Sequence, residues 1–548
     1  MSKELAEILF PEITLTPQDL EKKYPRRNLP EGARVTRFAP SPTGFLHIGG
    51  LFAAMISKVW AEKSGGVFYL RIEDTDKKRE IENGVKIIID GLSDFGITFS
   101  EGMTGNDTEV GDYGPYLQSK REEIYKTYAK DLVAKGLAYP CFMTEEELEE
   151  IRIKQEELKL TPGIYGEFAK CRDLSIDAVK ERLNKNLPYV IRLKSGGNIE
   201  NRIVLDDLIK GKISMPENNL DIVLLKSDGI PTYHFAHAVD DHLMGTTDVI
   251  RGDEWISSYP IHYELFKVLG FTMPRYAHIS PIMKQDNGGK RKLSKRKDPE
   301  AAVSYYHEMG YPKEAVIEYL MTLANSNFED WRAQNPTADI NEFPFELSKM
   351  SPSGALFDLV KLTDISKNYI SKLNCETLYN MLTSWAKEYD KEFLSLLEKD
   401  PQYAKRILNI EREIEKPRKD IAKLSDVKDY ISYFYDEIWD GKLDFPENIN
   451  KEDIINILNT YKDIFNENDD KETWFERIRQ MCPPLGFAAM PKEYKKNPGL
   501  YKGHVGDVST VIRVAATGRR NTPDLYEILM ILGKEKVTKR LLDAINKL

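Results

Sequence analysis

The segment RFAPSPTGFLHIGG, from Arg37 to Gly50, combines the residue types that bind phosphate. A strand-like run, Val35 to Phe38, delivers a basic residue into a Pro- and Gly-rich loop that ends at a predicted helix N-terminus. Backbone NH groups and the helix dipole favour anions there, and His47 can donate to a transferring phosphate. The loop lacks both the G-x-G-x-x-G and the Walker spacing. Alone it predicts a candidate phosphate site, with a capping or core histidine as the alternative.

A second segment, KQDNGGKRKLSKRKD from Lys284 to Asp298, holds seven basic residues near a glycine pair and a single hydroxyl, Ser294. A mobile cationic loop suits polyphosphate chemistry, because lysines that reach a leaving pyrophosphate stabilise charge that develops only in the transition state. A solvated basic loop or a nuclear-localisation patch is the alternative.

The elements around the first segment form a βαβ unit. After the loop, Gly49 to Lys63 has apolar residues at helical spacing, Gly65-Gly66 ends the helix, and Val67 to Ile72 follows as a second strand. Such a unit is typical of a nucleotide-binding parallel sheet. We therefore expect an α/β fold of the Rossmann type.

Further along, the alternation of strands and helices is interrupted. Charged helices such as Thr144 to Leu160 and a short strand at Tyr189 to Leu193 read as an insertion, after which strand-like runs at Asp221 to Leu225 and Asp248 to Arg251 predict that the sheet resumes. From about residue 346 the pattern is almost wholly helical, with no run of alternating strands.

Composition restricts the class of protein. At 548 residues, with 41% hydrophobic and 30% charged residues, the chain predicts several soluble domains. It shows no membrane span and no secretory signal, so a cytoplasmic location is expected. Four scattered cysteines agree with a reducing compartment. The net charge of -10 argues against a protein that coats nucleic acid with its whole surface. From Pro491 onward, however, the chain has 12 Lys and Arg residues and only 6 Asp and Glu residues, so this part is basic. A basic tail suits contact with a polyanion, and a solvated helical end is equally compatible.

Taken together, the segments resemble the glutamyl branch of the class I aminoacyl-tRNA synthetases. The two class signatures, known as HIGH and KMSKS, match His47 to Gly50 and Lys292 to Arg296 in order and separation. The stretches that are similar to the glutamyl branch are PSPTGFLHIGG, LRIEDTD (Leu70 to Asp76), PTYHFAHAVDDHLMG (Pro231 to Gly245), DVIRGDEWISS (Asp248 to Ser258), SGALFD (Ser353 to Asp358) and the terminal TGRRNTPDLYEILMILGKE. The resemblance runs from about residue 34 to the C-terminus.

The resemblance implies a role for each matching residue. His47, Lys292 and Lys295 would be catalytic. Glutamate would be bound by Arg37, Ala39, Ser41, Glu73, Tyr233, His237 and Arg251, and ATP by His47, Gly49, Gly50, Glu254 and Lys295. The guanidinium groups suit the two carboxylates of glutamate, and Glu73 suits its ammonium. A helix-capping acidic turn for Glu73, a buried ion pair for Arg251 and a surface acid for Glu254 are the alternatives.

Two departures from the family pattern have consequences. Many relatives hold zinc through cysteine pairs in the inserted region, but here Met143 follows Cys141 and Asp173 follows Cys171 at the corresponding spacing. Two thiols cannot complete a tetrahedral site, so no structural zinc is expected. His237 stands where relatives often have asparagine, which leaves a substrate contact and a plain structural position both open for it.

The resemblance implies a Rossmann-type catalytic domain split by an insertion and followed by an all-helical anticodon-binding region. The predicted boundaries are a leader at 1–34, catalytic halves at 35–105 and 216–260, an acceptor-binding insertion at 106–215, a linking region with the KLSKR loop at 261–345, and a helical anticodon-binding domain at 346–548. The implied enzyme, a monomer, forms glutamyl-adenylate from L-glutamate and ATP with Mg²⁺, and then glutamylates tRNA(Glu).

Four other functions fit the sequence less well. A glutaminyl relative is expected to end in β-barrels, and a truncated paralogue that modifies a tRNA base lacks a C-terminal module. An inactive tRNA-binding scaffold should have lost His47 or Lys295, and both are present. A general nucleotidyl transferase would retain the phosphate loop and act without tRNA.

Overall fold

A computed structural model describes residues 2–76, 78–294 and 296–548, and it divides into two compact units. The first unit comprises Met1–Tyr305 and Ile317–Asp358, and the second comprises Tyr306–Val316 and Leu359–Leu548. The long continuous part of the second unit begins at Leu359. No helix among the described residues has the length and apolar character needed to cross a membrane.

The N-terminal segment, expected to be a polar leader, is folded. Its helices α1 (Ser2–Leu9) and α2 (Pro17–Lys23) pack against the later helix Glu122–Ala134. The segment buries a group of apolar side chains in the core of the first unit: Ala6, Leu9, Phe10, Ile13, Leu20 and Tyr24. Arg27 anchors the end of this segment. It donates from its two terminal nitrogens to Glu101 at 2.6 and 2.8 Å, and from Nε to Met244 O at 2.8 Å.

The βαβ unit is confirmed. Strand β1 (Val35–Phe38) leads through the loop into α3 (Ile48–Glu62), and β2 (Val67–Leu70) returns parallel to β1 with Val35 opposite Val67. Helix α4 (Gly84–Ser93) connects β2 to β3 (Glu101–Met103), which is parallel to β2, and β4 (Glu109–Val110) closes this edge antiparallel to β3.

The interruption after this sheet contains its own small sheet. Its elements are α5 (Glu122–Ala134), β5 (Ala138–Cys141), α6 (Glu145–Glu157), α7 (Ile176–Asn184), β6 (Val190–Leu193), the hairpin of β7 (Arg202–Asp207) and β8 (Gly211–Pro216), and β9 (Val223–Leu225). Strands β5, β6 and β9 form one antiparallel sheet. The prediction that the catalytic sheet resumes at Asp221 to Leu225 is therefore wrong: β9 pairs with β6, because its neighbour is chosen by a distant strand and not by its own composition.

The catalytic sheet resumes one strand later. After α8 (Tyr233–Leu243), β10 (Asp248–Gly252) and β11 (Arg275–Ile279) pair in parallel, with α9 (Tyr259–Leu269) between them. Thr247 N donates to Val35 O at 2.9 Å, and this contact brings β10 beside β1. The C-terminal ends of β1, β10 and β11 thus meet at one edge, where ligands bind in open α/β sheets.

The basic segment folds as a hairpin of β12 (Met283–Asp286) and β13 (Gly289–Lys292). Three helices follow it: α10 (Ser304–Met309), α11 (Lys313–Ala324) and α12 (Asn327–Gln334). Asn287 and Gly288 form the turn between the two strands, and Gly289, the first residue of β13, has a φ of 132°, a conformation that favours glycine.

The second unit is helical, as predicted. It contains α13 (Leu359–Lys372), α14 (Cys375–Tyr389), α15 (Lys391–Lys399), α16 (Pro401–Leu408), α17 (Val427–Tyr430), α18 (Lys451–Ile464), α19 (Lys471–Met481), α20 (Pro491–Lys496), α21 (Val505–Thr517) and α22 (Leu525–Lys547), the last kinked at Gly533. Among the described residues no strand follows Lys292. One apolar core, which includes Leu378, Ile457 and Val511, joins most of these helices.

Candidate active site

A cavity of about 440 Å³ lies at the C-terminal ends of β1, β10 and β11, beside the loop that leads into α3. It brings together residues that are far apart in the sequence. Eleven predicted site residues line it: Arg37, Ala39, Ser41, His47, Gly49, Gly50, Glu73, Tyr233, Arg251, Glu254 and Lys292. Of the other two, His237 does not line the cavity, and Lys295 lies outside the described residues.

His47 caps the N-terminus of α3. Its Nδ1 accepts the backbone NH of Gly49 at 2.9 Å, and a Cβ at position 49 would stand 3.2 Å from that nitrogen. Since Nδ1 is the acceptor, the neutral ring has its proton on Nε2. The site thus combines a donor imidazole, a glycine pair and the positive end of a helix dipole, which together can bind a phosphate.

Arg251 enters the cavity from β10 and is buried. Its guanidinium donates from Nε to His278 Nε2 at 3.0 Å, from Nη1 to Tyr233 OH at 3.3 Å, and from Nη1 and Nη2 to His262 Nδ1 at 3.3 Å. No carboxylate in the described part of the chain pairs with it. A buried guanidinium without a counter-ion is costly, so this position favours a ligand with a carboxylate.

Arg37, in contrast, is part of a buried ion network. Its Nε lies 3.2 Å from Asp241 Oδ2, and Arg71 Nη1 lies 2.7 Å from the other oxygen of Asp241. Arg71 also contacts Glu73 at 3.1 Å. Burial raises the pKa of Glu73 above its ordinary value of 4.5, although Arg71 and Arg37 oppose that shift.

The charges at this end of the cavity do not cancel. The guanidinium groups of Arg37, Arg71 and Arg251 exceed the carboxylates of Asp241 and Glu73 by one positive charge, while the nearby Asp240 is paired with Arg121 at 2.7 Å. An amino acid with one net negative charge complements such a surface.

The β12–β13 hairpin is held in place by a buried carboxylate. Asp298 accepts two hydrogen bonds from Arg291, at 2.6 and 2.8 Å, and one from the backbone NH of Ser294 at 2.9 Å. Lys284 Nζ lies 3.1 Å from Asp298 and also contacts Glu300. These contacts keep the pKa of Asp298 far below its ordinary value, chiefly through Arg291. The seven basic residues are thus not one cationic surface, since Lys284 and Arg291 hold the hairpin while Lys292 faces the cavity.

His237 lies behind the cavity wall and is fully buried. Its Nδ1 stands 2.9 Å from Asp241 Oδ2, and its Nε2 is 3.0 Å from Tyr276 OH. Burial lowers its pKa to about 4, so the ring is neutral at physiological pH. The structure supports the structural alternative that the sequence left open for this residue.

The two cysteines of the insertion are brought together. Cys141 and Cys171 share a buried cluster, and a hydrogen bond from Cys171 lowers the pKa of the Cys141 thiol to about 6. Asp173 instead pairs with Lys194 at 2.7 Å and is 81% exposed. Within residues 2–76, 78–294 and 296–548 no group of three or more His, Cys, Asp or Glu residues could hold a metal ion. The absence of structural zinc stays a prediction.

Comparison with known proteins identifies the family. Residues 34–357 match the catalytic domain of the class I tRNA synthetases (E and Q), and residues 492–545 match an anticodon binding domain. The chain is 54% identical to the glutamate–tRNA ligase of Clostridium perfringens (strain 13 / Type A), with 98% of this chain and 100% of that protein covered. The chain belongs to the glutamate–tRNA ligases of class I. It is also 53% identical to the ligase of Acetivibrio thermocellus, over 98% and 99% of the two chains.

Solved structures of glutamate–tRNA ligases have the same fold. The chain is 29% identical to the ligase of Elizabethkingia meningosepticum, crystallised in complex with its amino acid, with a TM-score of 0.75 over 94% of this chain and 100% of that one. The synthetase of Elizabethkingia anophelis gives 28% identity and a TM-score of 0.73 over the same shares. The prediction of the family and of its fold class is confirmed.

The sequence did not single out four residues that form this ligase site. Trp255 lines the cavity with its ring 4.2 Å from that of Tyr233, and Asp241, His262 and His278 orient the two arginines. His262 gave a weak signal, since it is a polar residue among the apolar positions of YPIHYELFKVL. The other contacts join residues that are far apart in the sequence, so no local sequence pattern predicts them.

Proposed function

We propose that this chain activates L-glutamate with ATP as glutamyl-adenylate and transfers the glutamyl group to the 3'-terminal adenosine of tRNA(Glu). One observation carries the proposal: a buried arginine, Arg251, which has no carboxylate partner among the described residues, faces the same cavity as the loop capped by His47. A negatively charged amino acid and a nucleotide can therefore be held side by side.

In this proposal Arg251 binds the side-chain carboxylate of glutamate and Arg37 binds its α-carboxylate. A planar guanidinium can form two parallel bonds to a carboxylate, which lysine cannot reproduce. Glu73 receives the ammonium, Ser41 and Tyr233 add hydroxyl contacts, and Ala39 leaves space for the ligand backbone. His237 acts on the substrate only indirectly, through Asp241, which it contacts at 2.9 Å.

ATP occupies the opposite side of the cavity. His47 Nε2 and the amides around Gly49 and Gly50 face its phosphates, while Glu254 contacts the nucleoside. Lys292 and Lys295 stabilise the negative charge that develops on pyrophosphate as the glutamate α-carboxylate displaces it from the α-phosphorus. Magnesium would enter with ATP and would be held mainly by phosphate oxygens and water, as is usual for this ion.

Transfer to tRNA involves the remaining predicted domains. The insertion at 106–215 receives the acceptor end, and the region at 346–548 binds the anticodon. In the second unit a cavity of about 960 Å³ is lined by aromatic side chains, among them Trp474 and Tyr526, and by both cationic and acidic ones, among them Arg418, Arg513 and Glu472. Aromatic and guanidinium groups are the ones on which unpaired bases stack. We propose a cytoplasmic monomer.

The experiment that tests this function compares wild type with Arg251→Gln in a tRNA(Glu) charging assay. Glutamine has nearly the shape of glutamate, so size separates the two poorly and the arginine must discriminate by charge. We expect kcat/KM for glutamate to fall about a hundredfold or more and the preference over glutamine to fall with it, while KM for ATP changes little. A variant that retains its full preference would refute this assignment. Pyrophosphate exchange with and without tRNA separates a ligase from a general nucleotidyl transferase.

A further inference from the structure

Two fully buried histidines hold the guanidinium of Arg251 in its orientation. His278, on β11, accepts from Nε at 3.0 Å, and His262, on α9, accepts from both terminal nitrogens at 3.3 Å. Neither ring is exposed to solvent, and neither lines the cavity. Because neither ring reaches the cavity, these rings can act on the substrate only through the arginine.

The hydrogen bonds determine the tautomer of each ring. Arginine has only donors, so His278 Nε2 and His262 Nδ1 must be the unprotonated nitrogens. The proton of His278 is then on Nδ1, which lies 2.7 Å from Asp207 Oδ2, and the proton of His262 is on Nε2, which lies 3.0 Å from His234 Nδ1. Each ring thus has a partner on its far side that fixes the acceptor nitrogen towards Arg251.

Both rings are neutral. Burial lowers the pKa of His278 and lowers that of His262 well below the ordinary value of 6.5, and Arg251 adds to each shift by repelling a second positive charge. Asp207 is the carboxylate behind His278, and the imidazole stands between it and Arg251. Arg251 is therefore oriented by the dipoles of two neutral rings. Arg37, in contrast, is oriented by the carboxylate of Asp241.

We propose that His262 and His278 are positioning residues that determine amino-acid specificity, because they orient Arg251 with neutral acceptors and leave its full positive charge for the side-chain carboxylate of the ligand. This inference rests on the proposed function of Arg251. A carboxylate at either position would orient the guanidinium equally well, but it would also neutralise it. An arginine already neutralised would gain little from glutamate and would discriminate poorly against the neutral glutamine.

Asparagine and aspartate at position 262 provide a matched pair of variants. Both place an oxygen near the position of the imidazole Nδ1, and they differ in charge with almost no change in shape. We expect His262→Asp to raise KM for glutamate about thirtyfold or more and to reduce the glutamate-over-glutamine preference similarly, while His262→Asn changes KM less than about fivefold. KM for ATP should stay close to that of wild type in both variants.

A second pair of variants, at position 278, tests the same inference in case the variants at position 262 misfold. His278→Glu and His278→Gln place an oxygen near the position of Nε2, and the same difference between charged and neutral variants is expected. Circular dichroism and the unfolding midpoint verify that each variant folds. Equal KM values within the folded pairs would overturn the inference, since a merely structural role does not distinguish charge from shape.

The Arg251→Gln variant separates this inference from the proposed function. If Arg251→Gln retains its glutamate preference, the proposed role of Arg251 fails. If Arg251→Gln loses the preference but the aspartate and asparagine variants behave alike, only the role of the histidines fails. Loss of preference in Arg251→Gln and His262→Asp, with retention in His262→Asn, supports both.

Discussion

His47 and His504 cap their helices through the same contact. In each residue Nδ1 accepts the backbone NH of the glycine two positions later, at 2.9 Å, so both His-x-Gly triplets have one local structure. His504 adds a capping box with Asp507 at the start of α21, in the second unit. A His-x-Gly triplet therefore predicts a helix cap, and only the surrounding cavity gives His47 a chemical role.

Replacing His47 with asparagine should separate the cap from the chemistry. Asparagine is a good N-cap and keeps an acceptor near Nδ1, so the free energy of unfolding should change by less than about 0.5 kcal/mol. The Nε2 donor is lost, and turnover should fall about a hundredfold. Steady-state charging assays and denaturant unfolding measure the two effects. His504→Asn is the matched control and should retain turnover; a normal rate in His47→Asn would remove the imidazole from the mechanism.

Lys295 is expected to stabilise the departing pyrophosphate, and this prediction rests on the sequence alone. Lys295→Ala should lower kcat about a hundredfold, as expected for a loss of about 3 kcal/mol of transition-state stabilisation. Lys290, an exposed residue of β13 in the same basic segment, provides the control. Lys290→Ala should leave kcat within about twofold of wild type. Weaker ATP binding with unchanged kcat in Lys295→Ala would contradict the prediction.

The buried imidazole of His237 should make stability depend on pH. Its pKa falls from 6.5 to about 4 on folding, chiefly through burial, so the unfolded chain binds a proton first. The stabilisation is complete above pH 6.5 and is lost as the pH falls towards 4, at about 1.4 kcal/mol per pH unit. In urea unfolding between pH 6.5 and 5, His237→Asn should reduce the slope by that amount. Above pH 7.5 the difference between the two proteins should be constant, and identical slopes below pH 6.5 would refute the assignment.

The insertion is predicted to fold without zinc. Cys141 and Cys171 are adjacent, but Met143 and Asp173 do not complete a ligand set. Elemental analysis of the purified protein after dialysis against a chelator should give far less than one zinc per chain, and the unfolding midpoint should not change. Stoichiometric zinc that survives dialysis would show that other ligands complete the site.

The sequence predicted the local parts of this fold well. Strand β1 begins and ends where the strand-like run does, at Val35 and Phe38, and the helix after the glycine loop differs from α3 by one residue at each end. The spacing of buried residues over a few neighbouring positions determines both the strand and the helix. The cavity residues were predicted through the family resemblance, and periodicity alone gave only a candidate phosphate site.

The failures of prediction concern contacts between distant residues. Strand β9 pairs with β6, about thirty residues earlier, and the N-terminal segment packs against α5. The histidines that hold Arg251 lie on α9 and β11, elements that follow β10 in the chain and are packed beside it. In each case the topology of the fold brings the two partners together, and a local sequence pattern does not contain that information.

Two contacts near the start of the first unit join residues that the ribosome adds at widely separated times during synthesis. Arg27 reaches Met244 across 217 positions, and Val35 reaches Thr247 across 212. Contacts of such separation slow folding, because a long loop must be closed before they form. At about 5 to 20 residues per second, the ribosome needs roughly 10 to 50 s to add the strand that β1 lies beside. During synthesis, the edge of β1 that faces β10 therefore has no partner until about residue 250 has left the exit tunnel, whereas α5, which the N-terminal helices contact, is made more than a hundred residues earlier.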